Sequence, residues 1–268
     1  MNFDLVVCGV GGQGVLSIAW VIDHAAVEAG YHLKQPEVHG MAQRGGAVSA
    51  FVRMSDAPIA SDLIPDGAAH LVLSVEPMES LRYTRLLCPE GWIVTDVTPL
   101  VNVGNYPATD ALFDVLFAAP RVIALDATHL AHKAGTIKAQ NMAMLGAAAR
   151  LLPIPAALLE KQVRALFADK GQRIVDANVD AFRRGDAASR FGAALVAGGV
   201  AADVAARAVT GLEFGSGAVP EGVVAAWIER LRGPAGRELA LRMFASRREL
   251  PLDAGSTGRQ ASAGHGKA

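Results

Sequence analysis

The chain has only two cysteines, Cys8 and Cys88, in 268 residues. That excludes a disulfide framework. It also excludes an iron–sulfur cluster held by this chain alone, because such clusters take four thiolates. Hydrophobic residues make up 51% of the chain, yet no apolar run reaches the roughly 18–20 residues of a membrane span. The formal net charge is −1, which gives neither the basic face of a nucleic-acid binder nor a polybasic membrane surface. The first residues lead straight into a strand-like run, without a basic segment and cleavage site. Together these absences predict a soluble, reduced, cytoplasmic protein that binds no nucleic acid or membrane and has enough chain to bury a sizeable core.

What is present is an alternation of short apolar runs and helical stretches. Phe3–Cys8 (FDLVVC) reads as a buried parallel strand that ends in glycines. Residues 14–29 have helical length, and Gly30 closes them. Further strands are expected at 47–53, 70–75, 92–96 and 121–126, and helices at 77–87, 141–152, 156–167 and 173–182, the last stopped near Gly185. This pattern predicts an α/β fold: an open, mostly parallel, Rossmann-like sheet with helices on both faces. The texture changes after Asp186 to an Ala/Val/Gly-rich stretch followed by one or two amphipathic helices. The expected division is an α/β domain over 1–186, a helical extension over 187–250 and a disordered tail over 251–268.

Between the first predicted strand and helix stands Gly9-Val10-Gly11-Gly12-Gln13-Gly14. A glycine turn at a helix start leaves backbone N–H groups that favour an anion. A dinucleotide site also wants an acidic residue about 20 positions on, at the end of a second strand. None stands there in a convincing strand, so the fingerprint is incomplete. A tight packing turn, an anion site and a dinucleotide site all stay open.

Residues 36–46, PEVHGMAQRGG, place Glu37, His39, Gln43 and Arg44 close together on a glycine-rich backbone. Gly40, Gly45 and Gly46 allow close backbone approach. Arg44 offers a fork for a carboxylate or phosphate, and His39 titrates near neutral pH. The bland alternative is a solvated surface loop in which Glu37 and Arg44 simply pair. Asp96 and Asp126 just beyond predicted strands read as helix caps, and Cys8 reads as a small core residue.

GVGGQGV followed by PEVHGMAQRGGAVSAFVR, then NMAMLG at 141–146 and NVDAFRRG at 178–185, resembles the gamma-type domain of the 2-oxoacid:ferredoxin oxidoreductases, and within it the indolepyruvate type. The resemblance covers roughly residues 1–186. It implies membership of a complex that oxidatively decarboxylates a 2-oxoacid to an acyl-coenzyme A, using thiamine diphosphate, magnesium and iron–sulfur clusters, and passes electrons to ferredoxin. It also implies that a larger partner subunit carries thiamine diphosphate and the clusters. The residues agree with that division: there is no GDG with a downstream Asn to bind thiamine diphosphate, and no ladder of cysteines.

On this reading the chain is inactive alone. Glu37, His39, Gln43 and Arg44 position substrate, while Gly9, Gly11, Gly12, Gln13, Gly14, Gly45 and Gly46 let the backbone approach a cofactor. The alternatives are another 2-oxoacid, such as phenylglyoxylate, pyruvate or a branched-chain acid, or a stand-alone Rossmann-like nucleotide-binding protein.

Overall fold

The computed structural model describes residues 1–38, 45–101, 103–246 and the backbone of 39 and 250–251. Chain order runs β1 (Asn2–Val10), α1 (Val15–Glu28), β2 (His32–Lys34), β3 (Glu37–His39), β4 (Ala47–Ser55), β5 (Ala69–Ser74), α2 (Pro77–Arg82), β6 (Leu87–Asp96), α3 (Thr109–Phe117), β7 (Val122–Leu125), α4 (Ala127–Lys133), α5 (Gln140–Ala149), α6 (Ala156–Phe167), α7 (Gln172–Ala197), α8 (Ala202–Thr210), β8 (Leu212–Glu213), α9 (Glu221–Leu231), α10 (Gly233–Ser246) and β9 (Leu250–Pro251).

One sheet organises the molecule, in the order β2-β4-β1-β5-β6-β7, with β3 also paired to β4. β1, β5, β6 and β7 are parallel neighbours, whereas β4 runs antiparallel to β1, β2 and β3. β4 therefore alone runs against the rest, and the sheet is mostly parallel as expected. β2 and β3 are two pieces of one edge, broken at Pro36, which lacks an N–H; its carbonyl still accepts from Phe51 N at 2.9 Å. Residues 37–39 thus form a short strand where the sequence shows no strand pattern.

The apolar runs that read as buried strands are buried on both faces. Leu5, Val7, Leu71, Leu73 and Val94 pack with Ile18 and Ile22 of α1, Met142 and Leu145 of α5 and Phe182 of α7. On the other face Val6, Cys8 and Val72 meet Ile64. Asp4 and Arg53, opposite each other on β1 and β4, form a two-pronged ion pair at 2.8 and 3.1 Å. Arg53 also donates to the carbonyls of Ser61 and Leu63, which ties residues 56–68 over that face.

α5 and α7 cross at two glycines. A Cβ on Gly146 would stand 1.9 Å from the Phe182 carbonyl oxygen, and one on Gly185 would stand 1.9 Å from that of Ala143. Gly185 is therefore a contact point inside a continuous helix and not its end, which corrects the expected stop. α7 ends where Gly199 takes φ 89° and the amides of Gly199 and Val200 turn back to the carbonyls of Val196 and Leu195. α7 passes unbroken through residue 186, and Val204 of α8, Trp227 of α9 and Ala240 of α10 join the same core. α8 lies along β7, and Phe244 of α10 packs edge-on against Phe113 and Phe117 of α3 at 4.9 and 5.1 Å.

Gly185→Ala is expected to destabilise the chain by about 1–3 kcal/mol through overpacking, with a melting temperature lower by roughly 2–10 °C. Gly222→Ala, at a helical position with open space around it, should leave stability unchanged or raise it. Equal urea midpoints for the two variants would show that the crossing tolerates a methyl group.

Candidate functional site

Open α/β sheets collect ligands at the carboxyl ends of their parallel strands. Here that edge carries the glycine turn after β1, Glu76 after β5, Asp96 at the end of β6 and Asp126 after β7. The turn is built by close approach. A Cβ on Gly9 would stand 2.3 Å from Val75 Cγ2, and one on Gly14 would stand 2.3 Å from Asn141 Nδ2. Gly12 and Gly14 hold φ 103° and 81°, in the left-handed region that glycine adopts without strain. Gln13 binds the turn from inside: its Oε1 accepts from Val10 N at 2.8 Å and its Nε2 donates to Val75 O at 3.0 Å. Asn141, buried at the start of α5, donates to Gly14 O at 3.2 Å.

The second glycine segment lies against the first. Gly11 N donates to Gly46 O at 2.8 Å, and Gly45 N to Gly11 O at 3.4 Å. Gly45 takes φ 80°. This pairing extends the β1–β4 register beyond its last partners, Val10 and Ala47. Gly9, Gly11, Gly12, Gln13, Gly14, Gly45 and Gly46 are thus one continuous patch of backbone. The strand after α1 does not lie parallel beside β1, as a dinucleotide fold requires; antiparallel β4 takes that place.

Of the four positioning candidates, Glu37 and His39 lie on β3, opposite Ala50 and Val48. The Glu37 carboxylate accepts from Gln35 Nε2 at 3.0 Å and, with burial the larger cause, raises the carboxyl of half-buried Asp23 on α1 to about 7. Gln43 and Arg44 lie outside the described residues. The chain enters that segment from β3 and leaves it at Gly45, beside the glycine turn.

The strand-end carboxylates act as caps. Asp126 accepts from His129 N at 2.9 Å at the start of α4. Asp96 accepts from Thr98 N at 3.2 Å and Ala127 N at 3.1 Å, both on Oδ1. Burial, then the charge of Asp126, raises the Asp96 carboxyl to about 7. Glu76, fully buried, caps α2 through Glu79 N at 2.8 Å. Its other oxygen accepts from Tyr106 Oη and Leu100 N. That clasp holds the β6–α3 connection, where Leu100, Val101 and Val103 are exposed. Ile137, just before α5, and Val38 on β3 are exposed as well. The sequence carries no signal for the Glu76–Tyr106 contact, which joins residues thirty positions apart. Cys8 is buried as expected, its thiol donating to Glu79 O at 3.5 Å. Two cysteines are too few for a cluster.

Residues 4–188 match the family model described as pyruvate ferredoxin/flavodoxin oxidoreductase. Indolepyruvate oxidoreductase subunit IorB of Methanothermobacter thermautotrophicus is 37% identical over 201 residues, 72% of this chain and 98% of that protein. The subunit of the same name from Archaeoglobus fulgidus is 36% identical over 194 residues, 69% of this chain and 94% of that one. Pyruvate oxidoreductase subunit PORC of Thermotoga maritima shares the fold at TM-score 0.52 and 23% identity, over 69% of this chain and 94% of that chain. A 2-oxoglutarate:ferredoxin oxidoreductase from Magnetococcus marinus, solved with 2-oxoglutarate, coenzyme A and succinyl-CoA bound, does so at TM-score 0.57 and 20% identity, over 70% of this chain and 31% of that one. The chain belongs to the pyruvate ferredoxin/flavodoxin oxidoreductase family.

The Asp96 proton gives the fold a pH signature. With the carboxyl at about 7 when folded against an ordinary 3.8, the native state keeps a proton that the unfolded chain releases. Its contribution is full below 3.8 and is lost as pH rises towards 7. Asp96→Asn, which keeps an oxygen for both amides, should remove this decline. Urea titrations across the window test it; equal slopes for the variant and the parent protein would sink the assignment.

Proposed function

We propose that this chain is the non-catalytic subunit of a 2-oxoacid:ferredoxin oxidoreductase of the indolepyruvate type, inactive until it joins a larger subunit. The observation that carries the reading is the near end-to-end match to the indolepyruvate subunits, together with the glycine turn and second glycine segment meeting as one backbone patch. In this reading the partner holds thiamine diphosphate, magnesium and the iron–sulfur clusters, and ferredoxin takes the electrons. Thiamine diphosphate, when bound there, supplies the decarboxylation chemistry.

This chain contributes shape and charge. The glycine patch lets its backbone approach the partner closely. The exposed Leu100, Val101, Val103 and Ile137 supply apolar contact around that patch, and the Glu76–Tyr106 clasp holds the connection that bears the first three. Arg44 neutralises the oxoacid carboxylate or a coenzyme A phosphate, while His39 and Gln43 orient it. Positioning of this kind lowers a barrier without covalent chemistry.

The test is co-purification with the larger subunit, followed by an assay with aryl 2-oxoacid, coenzyme A and a viologen dye. Turnover is expected from the complex and none from the solitary chain. A complex preferring pyruvate or a branched-chain acid would move the substrate assignment, and activity of the chain alone would end it. In the active complex, Arg44→Ala should raise KM for the oxoacid or coenzyme A by about tenfold or more. Unchanged kinetics for both would remove Arg44 from the site.

A further inference from the structure

Away from the glycine turn, a cleft of about 280 Å³ opens between Trp92 of β6, the length of β7 from Val122 to Ala124, and the helices α7 and α8. Its walls are mostly apolar, and the two helices contribute small residues, among them Ala188, Gly192 and Ala193 of α7 and Ala205, Ala206 and Val209 of α8. At the rim stands Arg150, the residue that ends α5. Its guanidinium lies 5.2 Å from the centre of the Trp92 ring, and its Nε donates to Ser189 Oγ at 2.9 Å. Among the described residues no carboxylate pairs with it; nearby Asp186 is taken by Arg190 at 2.8 Å. Arg121, also on the rim, spends Nη1 on the Pro89 carbonyl at 3.1 Å and meets no carboxylate among the described residues.

A half-buried guanidinium with no carboxylate in direct contact is costly to hold. Its planar fork suits a carboxylate. The cleft is slightly smaller than drug-sized sites, which fits a single aromatic ring or a short acyl chain. We propose that this cleft binds a small apolar monocarboxylate, its hydrocarbon body lying between α7 and α8 and its carboxylate on Arg150. The site is separate from the carboxyl edge of the sheet, so the inference stands apart from the functional reading above.

Calorimetry on the full-length chain, with hydrocinnamate and octanoate as probes and hydrocinnamide as the neutral isostere, tests it. Saturable binding of both acids is expected, with the amide weaker by about tenfold or more. Ala193→Phe should abolish binding by filling the cleft. Arg150→Gln, which keeps a donor for Ser189, should weaken the acids about tenfold and leave the amide unchanged. The melting temperature of each variant reports folding, and Arg150→Gln alone decides the matter if Ala193→Phe does not fold. No saturable binding of either acid, equal affinity for the amide, or undiminished binding in folded Ala193→Phe or Arg150→Gln overturns the proposal.

Discussion

The antiparallel pairing of β4 with β1 is the constraint on which the candidate site depends. Because the two strands run in opposite directions, β4 begins where β1 ends, and Ala47 faces Val10. Two glycine segments more than thirty residues apart in sequence are thereby placed in contact, with Gly11 and Gly46 bonded through their backbones. A parallel strand in that place would deliver its first residues to the far end of the sheet. The same choice moves the chain away from the dinucleotide arrangement, despite a glycine pattern that fits it.

The patch is supported from below by a helix that reaches it through Asn141. That residue lies in the first turn of α5, and its side chain packs under Gly14. α5 is in turn fixed against α7 by the interlocked Gly146 and Gly185. The NMAMLG and NVDAFRRG stretches are thus two halves of one helix crossing that positions the floor of the glycine turn. Each glycine clears space for the backbone of the other helix, and a side chain at either would force the helices apart.

Much of the sheet was legible because its central strands are buried on both faces and read as unbroken apolar runs, FDLVVC and HLVLSV among them. The glycine turn was legible as a turn, since only glycine combines positive φ with close approach. Gly185 misled because a helix stop and a helix crossing call for the same residue, and only the partner helix distinguishes them. The short strand at 37–39 is three residues long and mostly exposed, so its sequence carries no alternation to detect. The Glu76–Tyr106 clasp depends on how the β6–α3 connection folds back, which no local pattern records. Gln43 and Arg44 were singled out by residue type alone, and both lie outside the described residues.

The unbroken run of α7 past residue 186 has a consequence for how the molecule tolerates shortening. A chain ending with the family-matched segment at 188 would stop in mid-helix and take α8 with it. Among the described residues β7 pairs only with β6, so its outer row of amides and carbonyls would then face water unshielded. An uncovered sheet margin of that kind recruits strands from other molecules. In the full chain α8 lies along β7, beside that margin.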